Sequence, residues 1–166
     1  MVVRRALTAE VEVLSELALR SKAHWGYDET FIEACREELT VRPQDVEGRQ
    51  LTVAVQAGTG RILGFYGLLG TGPDEAELSA LFVEPAVIGT GIGRLLFDDA
   101  VGVAHEAAVR RIRIEADPFA AAFYEHMGAT PSGTTPSHSM AGRELPLYVV
   151  DIPASNPPTG SGNPTR

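Results

Sequence analysis

Apolar positions along the chain change period twice, and the changes divide it into three stretches. Val11, Leu14, Leu17 and Ala18 recur at three- and four-residue spacing, which predicts a helix running to about Ser21. A short strand over Val2–Leu7 precedes it, with Thr8 as its N-cap and Glu10 and Glu12 placing negative charge in the first turn. Lys22 to Asp28 reads as a connector. Asp28 then caps a second helix whose Phe31, Ile32, Cys35 and Leu39 share a face, and the polar stretch Pro43–Gln50 ends that unit. Beyond it the period falls to two. Leu51–Gln56 alternates, Ala57–Arg61 is turn chemistry, Ile62–Leu69 is an apolar strand, and Ala76–Val83 follows a second turn, so three strands form an antiparallel meander. Helical spacing returns over Gly91–Ala108 through Ile92, Leu96, Ala100, Val103 and Ala107. Arg111–Glu115 alternates as a strand. Asp117 with Pro118 behind it opens a last helix, which Gly128 closes after Met127. Two more strands are expected near Thr134–Ser139 and Leu145–Asp151. The fold class is α/β, a mixed sheet with flanking helices in two layers or three.

Composition narrows the function classes. The 166 residues suit one domain, read here as 1–151, followed by a disordered tail, 152–166, that lacks aromatic residues and, after Ile152, large aliphatic ones. Fourteen Lys and Arg against 22 Asp and Glu give a net charge of −8, which argues against a nucleic-acid partner. Cys35 is the single cysteine, so no disulfide can close within the chain and a reducing, cytoplasmic setting is expected. No apolar run approaches the roughly 20 residues of a membrane span, and no secretory signal opens the chain. The histidines and carboxylates show no metal-ligand spacing, so no metal is expected.

Candidate chemistry concentrates in Glu77–Leu96, where a strand passes into a helix through a glycine-rich loop. Unpaired N–H groups and the positive end of the dipole at such a helix start can hold a phosphate. Gly89, Gly91 and Gly93 let the backbone approach a ligand, and Arg94 adds a fixed charge. On the glycines alone, a phosphate loop and a plain tight turn fit equally. The strand itself is out of phase: Ala76 and Leu78 keep one alternation, Leu81 and Val83 the other. A β-bulge near Ser79 or Ala80 accounts for the slip, as does a strand buried on both faces.

Val83-Glu84-Pro85 followed by Ile88-Gly89-Thr90-Gly91-Ile92-Gly93-Arg94 resembles the acetyl-coenzyme A loop of the GNAT superfamily of N-acetyltransferases. Asp117-Pro-Phe-Ala-Ala-Ala-Phe-Tyr-Glu-His-Met-Gly128 resembles the helix that follows that family's fifth strand. The likeness covers about residues 3–151. It implies a central, mostly antiparallel sheet of six to seven strands, with the fourth and fifth splayed apart. Two positions depart from the family pattern. Ile88 stands where Gln or Arg is usual, and Phe119 where an Asn often contacts the pantetheine arm.

The resemblance also implies roles. Backbone groups of Phe82 and Val83 would pair with the pantetheine amides, and the loop from Ile88 through Gly89, Thr90, Gly91, Ile92 and Gly93 to Arg94 would hold the pyrophosphate, with Arg110 and Arg111 as further cations. Tyr124 matches the tyrosine that protonates the leaving thiolate; its alternative is a half-buried core aromatic. Glu77 is the candidate base, with Glu75 next, and a solvent-facing strand residue is the alternative for both. His24, Trp25 and Tyr27 fall where the acceptor site is often lined; Trp25 equally suits a core plug. The expected function is direct transfer of acetyl from acetyl-coenzyme A to a primary amine of a small molecule or peptide, through a ternary complex. The alternative is a non-catalytic coenzyme A-binding module. The acidic balance favours a cationic acceptor, and a homodimer is the ordinary assembly to expect.

Overall fold

The computed structural model describes residues 1–154. Its elements run β1 (Val2–Arg5), α1 (Val11–Ala23), α2 (Glu29–Leu39), α3 (Pro43–Gly48), β2 (Thr52–Val55), β3 (Ile62–Gly70), β4 (Glu75–Val83), α4 (Ile92–Glu106), β5 (Arg111–Glu115), α5 (Ala121–His126), β6 (Thr130–Pro136) and β7 (Glu144–Asp151). Short 3-10 turns occupy Thr8–Glu10, Pro85–Val87 and Pro118–Ala120. The seven strands lie in the order β1-β2-β3-β4-β5-β7-β6. Every neighbouring pair is antiparallel except β4 and β5. Among the described residues no helix is long and apolar enough to cross a membrane.

The sheet is covered on both faces, which makes three layers. On one face Leu96, Phe97 and Ala100 of α4 and Tyr124 of α5 pack on Tyr66, Leu78, Ile112 and Ile114. On the other, Leu14, Leu17 and Ala18 of α1 and Val46 of α3 pack on Val53, Val55 and Phe65. Ile152, the first residue of the expected tail, is buried in the first of these cores. Residues 155–166, where the rest of that expectation falls, lie outside the described residues.

Three local expectations need correction. Thr8 does not cap α1: it sits inside a 3-10 turn, and Glu10 reaches back to accept from the Leu7 N–H at 2.8 Å while pairing with Arg4. The polar stretch after α2 is itself helical, because Pro43 starts α3, Asp45 accepts from the Arg42 N–H at 2.7 Å and Val46 is buried. The sixth strand begins at Thr130 and ends at Pro136, which leaves His138 and Ser139 in the loop beyond it. Asp28 caps α2 as expected, accepting from the Phe31 N–H at 2.8 Å.

The phase slip in β4 is a bulge. Gly67 pairs with Ala80 and Leu68 with Leu78, so Ser79 is the extra residue. The slip lets Ala76, Leu78, Leu81 and Val83 all pack into the α4–α5 core, while Ala80 and Phe82 face the α1 layer. Gly67 makes room for the bulge, since a Cβ there would lie 2.6 Å from Ser79 Oγ.

Gly64 on β3 is more constrained, because its Cβ would sit 2.8 Å from the Phe82 carbonyl oxygen and 2.9 Å from Leu96 Cδ1. Backbone cannot yield there, so Gly64→Ala should lose about 2 kcal/mol despite alanine's lower chain entropy. Thermal unfolding should register this as a Tm lowered by roughly 4–8 °C; an unchanged Tm would show that β4 gives way.

Candidate active site

β4 and β5 pair only from Glu75 to Glu77 against Arg111 to Arg113, and then separate. A cavity of about 720 Å³ occupies the opening. At one end it meets the glycine loop, at its middle the exposed edge of β4 and the Tyr124 side chain, and at the other end the α1–α2 face of the sheet.

The loop end is built from free backbone donors. Ile88 and Thr90 donate their N–H groups to Pro85 and Val87 carbonyls at 3.3 and 3.2 Å. The first backbone donor satisfied in α4 is Leu95, to Gly91 at 3.0 Å. The N–H groups of Gly89, Gly91, Ile92, Gly93 and Arg94 therefore have no backbone acceptor among the described residues. Gly89 and Gly91 adopt φ of +84° and +96°, which favours glycine. Gly93 has another reason, since a Cβ there would lie 3.2 Å from the Phe123 ring. Ile92 is buried beneath the loop and Thr90 bonds back to Val87, so neither lines the cavity; Ile88, Gly89, Gly91, Gly93 and Arg94 do. Arg94 Nη2 lies 3.1 Å from His126 Nε2. The entry to the loop is fixed by Glu84, which is buried and takes a two-pronged contact from Arg20 at 2.8 and 3.1 Å. That pairing holds the Glu84 carboxyl below its ordinary range.

Along β4 the backbone alternates in direction. The Glu84 N–H donates to Leu63 on β3, so the N–H and C=O groups of Phe82 also face β3, and those of Leu81 and Val83 face the opening. Leu81 was not singled out by sequence, where Phe82 stood in its place; Phe82 contributes its side chain to the wall. Arg110 and Arg111 lie at the far end of β5, where Arg110 donates its N–H to Asp74 and Arg111 pairs with Asp151. The parallel pairing puts them opposite Glu75, away from the loop.

Tyr124 is 6% exposed. Burial, with a smaller push from Asp117, raises its phenol well above the ordinary value. Ser79 Oγ is the buried side-chain oxygen without a partner among the described residues, whereas the Tyr124 hydroxyl, equally without a bond, is not sealed and opens on the cavity. Glu77 lines the cavity beyond it and has no ion pair or hydrogen bond among the described residues. Glu75 does not reach the wall.

The three aromatic-region candidates part company. Trp25 lines the cavity and stacks on Phe119 with planes 5° apart. His24 packs edge-on behind Trp25 and lies off the wall. Tyr27 stacks on Phe31 and donates its hydroxyl to Asp117 at 3.0 Å. Asp117, which also caps the Phe119 N–H at 2.9 Å, pairs with Lys22 at 2.5 Å and lies 3.8 Å from Arg143. Burial alone would raise the Asp117 carboxyl, but Lys22, the Phe119 N–H and Tyr27 outweigh it and the net direction is down. The same surroundings push the Tyr27 phenol up to about 12, burial first and the Asp117 charge second. This cluster joins α1, the turn before α5 and the loop after β6. Sequence offered Asp117 only as a helix cap, and nothing local marks Lys22 or Arg143.

A family model described as "Acetyltransferase (GNAT) domain" matches residues 10–138, and the chain belongs to that family. No curated protein sequence matches it significantly. Its fold is shared by solved structures of low identity. The GCN5-related N-acetyltransferase from Rhodopseudomonas palustris is 19% identical, with TM-score 0.75 over 91% of this chain and 95% of that one. The paia N-acetyltransferase from Thermoplasma acidophilum, solved with coenzyme A, is 18% identical, with TM-score 0.75 over 90% and 98%. The acetyltransferase yncA from Salmonella typhimurium, solved with acetyl-CoA, is 18% identical, with TM-score 0.68 over 96% and 98%.

Asn at position 117 keeps the helix cap and removes the charge. Because the folded carboxyl lies below its ordinary 3.8, its stabilisation is fully present above that value and lost as pH falls through the folded one. Asp117→Asn should therefore cost about 2 kcal/mol at neutral pH, and the gap to the parent should close in strong acid. Urea unfolding at several pH values reads both; a gap independent of pH would remove the ion pair from the explanation.

Proposed function

We propose that the chain is an N-acetyltransferase moving acetyl from acetyl-coenzyme A directly to a primary amine. The observation that carries the reading is the opening between β4 and β5, with free backbone donors at one end, an unbonded buried phenol at its middle and an unpaired carboxylate at the other. The family membership supplies the reaction class.

The residues present fit the co-substrate. The loop amides of Gly89, Gly91, Gly93 and Arg94 can hold a pyrophosphate, aided by the helix dipole. Leu81 and Val83 can pair with the amides of an extended arm as an added strand does. The thioester carbonyl, bound there, supplies the electrophile. Glu77 takes one proton from the acceptor ammonium, directly or through a water, and passes it to solvent. The freed nitrogen pair forms the bond to carbonyl carbon and the carbon–sulfur bond breaks. Tyr124 gives its proton to the departing sulfur and regains one from the nitrogen, so the products are a neutral amide and a thiol. A phenol above about 10 and a thiol near 8.5 make full prior transfer uphill by more than about 2 kcal/mol, so proton transfer accompanies cleavage. Trp25 and the α2 end of the cavity receive the acceptor. Cys35, the thiol on the cavity wall, is buried and has no hydrogen bond or ion pair to a base among the described residues, which supports a ternary complex over an acyl-enzyme.

Calorimetric titration with acetyl-coenzyme A should give binding in the micromolar range, about −8 kcal/mol. No heat at millimolar ligand would overturn the reading, and binding without turnover of any amine would leave a coenzyme-binding module. Tyr124→Phe should lose about 100-fold in kcat with affinity for the coenzyme held. Glu77→Gln should lose a similar factor at neutral pH and recover as pH climbs towards the amine's own value near 10.4; equal losses at all pH would assign the base elsewhere.

A further inference from the structure

Two basic side chains meet at the loop end of the cavity with no acid between them. Arg94 stands in the first turn of α4 and His126 ends α5, and both line the cavity with Gly89, Gly91 and Gly93. Arg94 Nη2 lies 3.1 Å from His126 Nε2, and neither side chain pairs with a carboxylate among the described residues. That arrangement is unexpected in a chain with 22 acidic residues against 14 Lys and Arg. The acids on neighbouring elements do not fill the gap. Glu125 accepts from the Tyr148 hydroxyl at 2.9 Å, Asp99 from the Tyr66 hydroxyl at 2.8 Å, and Asp117 is paired with Lys22. Asp98, one turn beyond Arg94 on α4, forms no ion pair among the described residues. Between Glu84, which Arg20 holds, and Arg94 the loop carries no charged side chain, and β7 meets α5 through Tyr148.

The contact itself fixes the state of the imidazole. A guanidinium keeps its charge and only donates, so His126 Nε2 must present its lone pair to Arg94, with the ring neutral and its proton on Nδ1. A phosphate seated at the loop changes that balance. The Arg94 N–H is the last of the free loop donors, so the Arg94 side chain starts beside any anion held there and its guanidinium can turn onto the phosphate oxygens. His126 Nε2 then loses its donor while a negative charge arrives next to it. Both changes favour the imidazolium, which donates from Nε2 to a phosphate oxygen, and its place in the last turn of a helix favours a cation as well. Both side chains are exposed, so the proton comes directly from solvent.

We infer that His126 is a proton-coupled ligand for a phosphate of the coenzyme: neutral and bonded to Arg94 in the free protein, it takes a proton from solvent when the coenzyme binds and joins Arg94 on the phosphate. The inference rests on the coenzyme site of the N-acetyltransferase reading above. The complex holds one proton more than the free protein, so affinity for the coenzyme strengthens as pH falls through the range in which histidine titrates. His126 takes no part in the transfer of acetyl. It ties the hold on the co-substrate to pH at a point remote from Glu77 and Tyr124.

Calorimetric titration of the full chain with acetyl-coenzyme A near pH 7, repeated in buffers of different ionisation enthalpy, counts the protons taken up. The unaltered protein should take up about half a proton or more beyond His126→Gln. The 3′-phosphate of the coenzyme titrates in the same range, but its contribution is common to both proteins. From about pH 6 to 8, Kd should rise about 10-fold more for the unaltered protein than for His126→Gln. His126→Lys, which keeps its charge throughout, should bind at pH 8 about as tightly as the unaltered protein at pH 6, without the extra proton. Dephospho-coenzyme A locates the phosphate: a difference between the two proteins that survives assigns His126 to the pyrophosphate, and one that vanishes assigns it to the 3′-phosphate. Equal proton uptake by the unaltered protein and His126→Gln, with both binding acetyl-coenzyme A, overturns the inference and leaves the acetyltransferase reading intact. So does a His126→Lys protein that binds no tighter than His126→Gln at pH 8. Failure of all three proteins to bind the coenzyme overturns the reading and the inference with it.

Discussion

β4 and β5 hydrogen-bond through three residues and then part, and the site exists because they do. Parallel neighbours ordinarily continue side by side until one strand ends. Here Ser79 adds a residue to β4 where it pairs with β3, and the extra twist of a bulge turns the strand away from β5. Backbone groups left without a sheet partner in a protein interior are costly unless something else pairs with them. The opening therefore creates both a space and an unfilled row of donors and acceptors along Leu81 and Val83.

The two glycines of β3 are the counterpart of that constraint. Gly67 leaves room for the bulged serine, and Gly64 lets the Phe82 carbonyl and Leu96 come close to the strand. At the end of β4, the Arg20–Glu84 contact ties the strand to α1 as the chain turns into the loop. The loop's direction, and hence where its free N–H groups point, is set by packing on both sides of the sheet. A helix start with unsatisfied donors is common to all helices. What distinguishes this one is the opening to which it is delivered.

What could be read from the sequence was local or periodic. Asp28 caps its helix because the cap is decided within four residues, and the slip between Ala76–Leu78 and Leu81–Val83 was visible because alternation is a one-strand property, although only the pairing with β3 separates a bulge from a strand buried on both faces. The glycine loop and the Tyr124 helix carried a family pattern. Several things were not legible for the opposite reason. Asp117 gathers Lys22 and Arg143 from positions 95 and 26 residues away, and no spacing rule links them. Phe82 and Leu81 are neighbours, and which of them faces the opening depends on the partner that Glu84 chooses on β3. Gly93 looked like a ligand-approach glycine, and its tightest neighbour is a phenylalanine of α5. The short helix at Pro43 escaped because a single buried valine gives no period.

Trp25 is the chain's only tryptophan, and it stands on the cavity wall stacked on Phe119, which is itself 54% exposed. Indole emission shifts with the polarity and packing around the ring. All of this protein's tryptophan fluorescence thus originates at the mouth of one cavity, so the folded chain carries an optical gauge of its own occupancy, with no label to be attached and no background from elsewhere in the fold.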